Sequence, residues 1–332
     1  MDVLEYLTRR ARMVEREIDR WVPGDITPKE LADASRHLIL AGGKRLRPCL
    51  VLTACEAVGG RAEDAIEAAA AIEMLHNFTL IHDDIMDRDE FRRNVKTVHT
   101  IWGEAMAIIA GDALFSRVFS AMTENARRLG LSGRRTAELL SAVSEASFEV
   151  CRGQAMDMLF EGRLDVTEDE YMEMVSGKTG ALTDVSAKVG GILGGGSRSQ
   201  VSALSAYGRL LGMAFQIQDD VLGLIGREEK FGKPVGSDIR EGKKTLVVIR
   251  ALSTAGEGER RTILRALGRR NASRSEVAAA IGVLRKIGAV DYASERAREL
   301  VENAKARLRA LPQSTPRSIL EKLADFVIRR EF

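Results

Sequence analysis

HNFTLIHDDIMD, His76 to Asp87, lies within a run from residue 63 to 89 whose apolar positions recur with the period of an amphipathic helix. Advancing about 100° per residue puts His76, Leu80, Asp83 and Asp87 on one narrow stripe, with Asp84 at its edge and Glu73 a turn before His76. The flanking Met74, Leu75, Phe78, Ile81, Ile85 and Met86 are apolar, so most of this helix is buried. Aspartates one turn apart repel each other, and buried carboxylates require a cation or hydrogen-bond donors. A second pair, Asp219 and Asp220 in QDDVLG (Gln218 to Gly223), falls on a long apolar helix spanning 199–225. The two clusters read as walls facing each other across a magnesium site. Oxygen-only ligands suit a hard cation, and magnesium uses one or two protein carboxylates per ion, taking the rest of its shell from water and substrate phosphate.

Outward from these helices the periodicity stays helical, with no convincing strand alternation. Helices fit 3–21, 28–41, 46–58, 103–129, 132–160, 167–175, 178–194, 245–254, 257–268, 274–287, 290–309 and 315–329. The stretch 226–244 is a polar, glycine-rich loop. No segment has the composition of an interdomain linker, so the expected architecture is all-α, a single helical domain over residues 1–332. The net charge of +2 argues against a general nucleic-acid binder. No run reaches 18 apolar residues, and the first twenty lack the apolar core of a signal peptide, so no membrane span is expected. Cys49, Cys55 and Cys151 have no metal-ligand spacing and fit reduced thiols in a cytoplasmic protein.

Cations cluster in short motifs. GGKRLRP, Gly42 to Pro48, sets three of them beside a glycine break, where backbone NH groups and guanidinium forks can meet phosphate oxygens. Arg92-Arg93 follows the first acidic cluster, and Lys178-Thr179, Lys233 in FGKPVGSD and Lys243-Lys244 in EGKKT come later. Each alone reads as surface charge. Together with two acidic clusters they point to two diphosphates, one bridged by metal and one held by Arg and Lys. No GxxxxGK[ST] sequence is present, so this is not a P-loop. On the second acidic helix Gln216 and Asp219 are a turn apart, and Gly223 lies one turn further. A mid-helix glycine costs about 1 kcal/mol relative to alanine, so crowding or packing at that spot is expected to exclude a side chain.

In chain order, GGKRLRP, HNFTLIHDDIMD, RRNVKTVH, GDALF, GQAMD, KTG, FQIQDDVLG, FGKPVGSD and EGKKT resemble the trans-isoprenyl diphosphate synthases, the polyprenyl synthetase family, over nearly the whole sequence. The resemblance implies an all-α, single-domain isoprenoid-synthase bundle with a central cavity, assembled as a homodimer. It implies a magnesium-dependent prenyltransferase that joins isopentenyl diphosphate head to tail to an allylic diphosphate (dimethylallyl, geranyl or farnesyl). By position, Asp83, Asp87 and Asp219 match the metal ligands, with Asp84, Asp220 and Asp238 supporting them. Arg92, Lys178, Thr179, Gln216, Lys233 and Lys243 match the allylic side, and Lys178 and Lys233 count with the aspartates as catalytic. Lys44, Arg47, His76 and Arg93 match the isopentenyl diphosphate pocket. Two departures stand out: Gly223 replaces the last Asp of the second DDxxD, and Asn94-Val95-Lys96 replaces the usual Gly-x-Pro after the arginines.

Three rival readings meet specific obstacles. A class I terpene cyclase needs one diphosphate site and an Asn/Ser/Glu triad, where this chain has Asp219-Asp220. A noncatalytic partner subunit commonly loses the acidic motifs kept here. A di-iron bundle needs two Glu-x-x-His pairs, and only Glu73-x-x-His76 is present. Phe78, five positions before Asp83 and followed by Thr79, matches the family's length-determining position in archaeal short-chain geranylgeranyl and farnesyl diphosphate synthases. The expected product has fifteen or twenty carbons, with twenty-five as the alternative.

Overall fold

Small residues decide how closely the helices of this protein approach one another. The structure is a computed structural model that describes residues 3–225 and 236–328. Contacts group the chain into two compact units. The first comprises residues 1–145, 185–205 and 308–322, and the second residues 146–184, 206–307 and 323–332.

The first unit opens with α1 (Val3–Trp21), α2 (Lys29–Leu40) and α3 (Leu46–Ala57). A 3-10 turn, Ala62–Ala65, leads into α4 (Ile66–Asp87), the helix of the first acidic cluster. The short α5 (Val98–Trp102) and then α6 (Glu104–Arg128) follow. The alanines Ala68 to Ala71 are wholly buried, and they let α6 pack tightly along α4. At Gly111 of GDALF the approach is close enough that a Cβ would lie 2.3 Å from Nε2 of His82. The same ring nitrogen of His82 meets the Ile108 carbonyl at 3.2 Å. The N-terminus of α4 lacks a side-chain cap of its own. Asn125 of α6 supplies one, accepting from the Ala68 amide at 3.0 Å while donating to the Asp64 carbonyl at 2.7 Å.

Among the described residues one helix, α6, is long and apolar enough to cross a membrane by length and composition. One face of it, Ala107, Ala110, Gly111, Leu114 and Val118, is buried where it packs on α4, while Ile108 and Ile109 on its other side are exposed. The expectation from unbroken apolar runs missed it because scattered charges interrupt the sequence without abolishing its average.

The second unit takes in the C-terminal part of α7 (Gly133–Phe160), α8 (Glu168–Val175), the beginning of α9 (Ala181–Leu193) and most of α10 (Arg198–Ile225). It continues with α11 (Ser237–Glu241), α12 (Leu246–Thr254), α13 (Glu257–Ala266), α14 (Arg274–Lys286) and α15 (Ala289–Arg307). It closes in the second half of α16 (Thr315–Ile328). Thr167 and Glu170 form a reciprocal cap at the start of α8, and Ser273 and Glu276 do the same for α14.

The all-helical expectation holds, with three local corrections. Phe91–Arg92 and Val95–Lys96 pair as a two-stranded antiparallel hairpin. Arg93 and Asn94 at its tip have φ of 53° and 62°, so two successive left-handed residues make the reversal where the usual Gly-x-Pro is absent. Of the stretch expected as a loop at 226–244, residues 226–235 lie outside the described residues, and the remainder contains α11 (Ser237–Glu241), capped by Gly236 and Gly242, both left-handed. The helix placed at 178–194 instead begins as one wide π turn, Ser176–Gly180, continuing from α8 into α9. Such turns hold an extra residue per hydrogen-bonded loop and redirect the side chains they carry.

Candidate active site

The acidic end of α4 is built by charge compensation. Asp84 is buried, and Arg92 of the hairpin donates to its Oδ1 and, at 3.2 Å, to Asp89. The second oxygen of Asp84 is buried with no hydrogen-bond partner among the described residues. Burial pushes its carboxyl up to about 6, and Arg92 opposes the shift. Asp83 and Asp87 are half-buried on the same helix. Arg92, matched by sequence to the allylic side, thus also serves as the counter-ion of Asp84.

The Gly-Gly turn before α3 forms a second group in the same unit. Arg45 has φ of 47°, and its guanidinium is buried. It donates to Glu73 at 2.7 Å and to Glu15 at 3.3 Å. Asn77 also donates to Glu73, at 3.1 Å. Arg47 meets His76 Nε2 at 3.3 Å. Burial and then Arg47 push the His76 imidazole well below its usual range, so the ring is neutral and accepts from the guanidinium. Gly43 makes room for Arg93, because a Cβ there would lie 3.1 Å from the Arg93 Cζ. Arg93 is anchored to the Leu38 carbonyl at 2.7 Å. The structure therefore brings Arg47 and Arg93 to His76, while Lys44 is exposed on the turn. It also removes the di-iron reading, since Glu73 is committed to Arg45 and His76 to Arg47.

In the second unit a chain of hydrogen bonds links the cationic turn to the second acidic helix. Thr179 donates to Gln216 at 2.8 Å, and Gln216 donates to Asp220 at 2.8 Å. Tyr171 donates to the other oxygen of Asp220 at 2.7 Å. Burial pushes the Asp220 carboxyl up to about 7, and Asp238 adds to the rise. Lys178, on the π turn, donates to Asp157 of GQAMD at 2.5 Å. Gly223 faces Asp238, whose Oδ2 lies 3.1 Å from where a Cβ would be. A side chain at position 223 would require the Asp238 carboxylate to shift by a few tenths of an ångström. Asp219 is half-buried, Lys243 sits 3.3 Å from Glu241, and Lys233 lies outside the described residues.

Reasoning from sequence alone missed Arg45, Tyr171 and Asp157 as parts of the site. Only the motif letters around Arg45 and Asp157 hinted at them, and Tyr171 has no local signal. Among the described residues no three His, Cys, Asp or Glu side chains converge on an ion by themselves. The residues nevertheless fit magnesium. The candidate donors Asp83, Asp87 and Asp219 are all carboxylates, the buried second oxygen of the supporting Asp84 has no partner among the described residues, and this ion completes its shell with water and substrate phosphate.

The polyprenyl synthetase family matches residues 28–284. The chain is 48% identical over 331 residues to the short chain isoprenyl diphosphate synthase of Methanothermobacter thermautotrophicus, covering 100% of this chain and 99% of that one. It is 46% identical to the geranylgeranyl diphosphate synthase of Saccharolobus solfataricus, over 91% of each. Geranylgeranyl pyrophosphate synthetase from Pyrococcus horikoshii superposes with a TM-score of 0.93 at 48% identity, over 99% of this chain and 98% of that one.

Proposed function

The chain belongs to the polyprenyl synthetase family of trans-prenyltransferases, and from that premise we propose that it joins isopentenyl diphosphate head to tail to an allylic diphosphate, giving a fifteen- or twenty-carbon product. The observation that carries the reading is that each of the two units holds cations in a polar network of its own. Arg47 and Arg93 stand by the neutral His76. Lys178 stands beside the Thr179–Gln216–Asp220 chain. Two diphosphates need two such sets, and a neutral imidazole can accept from Arg47 without repelling it.

The chemistry follows from these charges. Asp83, Asp87 and Asp219 would hold magnesium, which when bound neutralises the leaving diphosphate. Lys178 and the arginines add fixed positive charge where negative charge develops. The allylic C1–O bond breaks and its electron pair leaves with the diphosphate. The double bond of isopentenyl diphosphate then supplies the pair for the new C–C bond, and a proton passes from the adjacent carbon to the released diphosphate. No protein nucleophile is consumed. We propose that residues 1–332 act as one catalytic unit. Incubating the protein with radiolabelled isopentenyl diphosphate, each allylic starter and magnesium tests the activity directly. No labelled prenyl product from any starter would reject it.

We assign the working form as a cytoplasmic homodimer. Ile101, Ile108 and Ile109 are large apolar side chains exposed on α5 and α6 of the first unit, and a second copy covering them would remove them from water. The buried Cys49 and Cys55 are free thiols, which suits a reducing compartment. Sedimentation equilibrium at micromolar concentration is expected to give the dimer mass, and a monomer would reject the assembly.

Metal binding is expected to weaken as pH falls from 8 to 5.5. The carboxyls of Asp220 and Asp84 are pushed up to about 7 and about 6, so both take up protons in that window and the site loses negative charge. Ordinary carboxylates titrate near pH 4 and would leave the affinity flat. Calorimetric magnesium titrations without substrate at pH 5.5, 7 and 8 measure this, and equal affinities would contradict it.

Phe78 is proposed to set product length. Its ring packs on Phe115 of α6 with centroids 4.9 Å apart, and Phe115 packs on Phe119 at 5.2 Å. A prenyl tail that grows toward this stack stops there, because the Phe78 ring is supported from behind. Phe78→Ala is expected to lengthen the product by roughly one five-carbon unit, since truncated sites keep part of the void. Thr79, whose hydroxyl turns back to the His76 carbonyl at 2.8 Å, should shorten the product when changed to Phe. Chromatography of the products from a common starter decides between these outcomes. An unchanged distribution from an active Phe78→Ala enzyme would move the stop to deeper residues such as Met74 or Leu75.

A further inference from the structure

A buried primary amide gives up as many as four hydrogen bonds to water, and folded proteins nearly always replace them. Gln154 is 6% exposed, and neither its amide nitrogen nor its amide oxygen has a hydrogen-bond partner among the described residues. A leucine would fill much the same volume without stranding polar atoms. The position is therefore expensive for stability alone.

Its neighbours on α7 are fastened to the turn that carries Lys178. The preceding Gly153 touches the π turn so closely that a Cβ would lie 2.1 Å from the Lys178 nitrogen and 2.7 Å from the Gly177 carbonyl carbon. Three residues beyond Gln154, on the same side of α7, Asp157 takes the Lys178 ammonium at 2.5 Å. Gly153 and Asp157 thus fasten α7 to the turn that carries Lys178 and Thr179, and Gln154 lies between them. All of these residues belong to the second unit.

We propose that Gln154 is a substrate-contacting residue of the allylic site, left unpaired by the fold so that the bound allylic diphosphate supplies its partners. The Nε2–H group donates to a diphosphate oxygen. The Oε1 atom, negative end of the amide dipole, faces the allylic carbons as the C1–O bond breaks and its electron pair departs with the diphosphate. No atom is exchanged with the amide; its effect is electrostatic and is present before the charge develops. The inference rests on the reading that Lys178 grips the allylic diphosphate.

Gln154→Leu and Gln154→Glu are compared with Lys178→Ala in three measurements. These are the melting temperature of the free protein, its rise with a thiolo analogue of geranyl diphosphate, and the kinetic constants for each substrate. Gln154→Leu is expected to melt at or above the native temperature, because it removes an unsatisfied polar group. Its kcat/KM for geranyl diphosphate should fall roughly ten- to a hundredfold, its analogue-induced stabilisation should shrink, and its KM for isopentenyl diphosphate should hold within about twofold. Gln154→Glu, matched in shape but negative, should raise the KM for the allylic substrate further. A Gln154→Leu protein that melts lower yet turns over normally would overturn the proposal in favour of a packing role. If it fails to fold, Gln154→Glu with an unchanged allylic KM overturns it equally. Should Lys178→Ala keep its allylic kcat/KM, the allylic assignment itself fails. A loss in Lys178→Ala without one in Gln154→Leu rejects Gln154 alone.

Discussion

Asp83→Ala and Asp219→Ala are each expected to lower turnover by roughly two orders of magnitude or more, because each removes a carboxylate whose task is to fix positive charge against the leaving diphosphate. The fold should survive both changes. Asp83 and Asp219 are half-buried, whereas the packing of α4 rests on Ala68 to Ala71, Met74 and Leu75 and that of α10 on Leu211, Ala214 and Ile217. Removing one of several neighbouring negative charges also relieves repulsion. Circular dichroism should therefore be unchanged while kcat collapses, and raised magnesium should recover part of the loss. Near-normal rates for both variants in limiting magnesium would remove these residues from the site.

Arg47→Ala is expected to raise the KM for isopentenyl diphosphate roughly ten- to a hundredfold, since a hydrogen bond to a charged group contributes about 1.5–3 kcal/mol. The KM for the allylic substrate should change little, because Lys178 and Thr179 are held by a different set of partners. The adjacent Arg45 offers the contrast. Its guanidinium is paired with Glu73 at 2.7 Å, and both groups are buried. Breaking a buried pair costs roughly 3–5 kcal/mol, so Arg45→Ala should act first on stability. Initial rates with each substrate varied in turn, beside thermal melts, separate the two residues. Equal KM increases for both substrates in Arg47→Ala would reject the division of cations into two sets.

Much of this molecule was legible from local pattern. The bounds of α1 match the reading of 3–21, and those of α7, α8, α10 and α16 differ from theirs by a residue at most at each end. The helical period and its breakers act over a few residues, so one segment carries its own signal. The electrostatic oddity of the two aspartate pairs is local as well, and it pointed to a cation before any fold was known. The arginine pair was visible, but its hairpin was not, because two-residue strands have no alternation to detect.

Tertiary structure alone decided how each charge is matched. Asp84 and Asp83 are neighbours in sequence, yet one is buried against Arg92 and the other half-exposed. Lys44, Arg45 and Arg47 look alike in GGKRLRP, but a left-handed residue turns Arg45 inward to Glu73 while Lys44 stays exposed. Tyr171 reaches Asp220 and Asp157 reaches Lys178 across 49 and 21 positions of chain. Composition and spacing identify which side chains can hold a metal or a phosphate, because valence and charge belong to the residue. Which of them do so depends on desolvation and on partners from distant segments, and both of these come into being only when the helices pack.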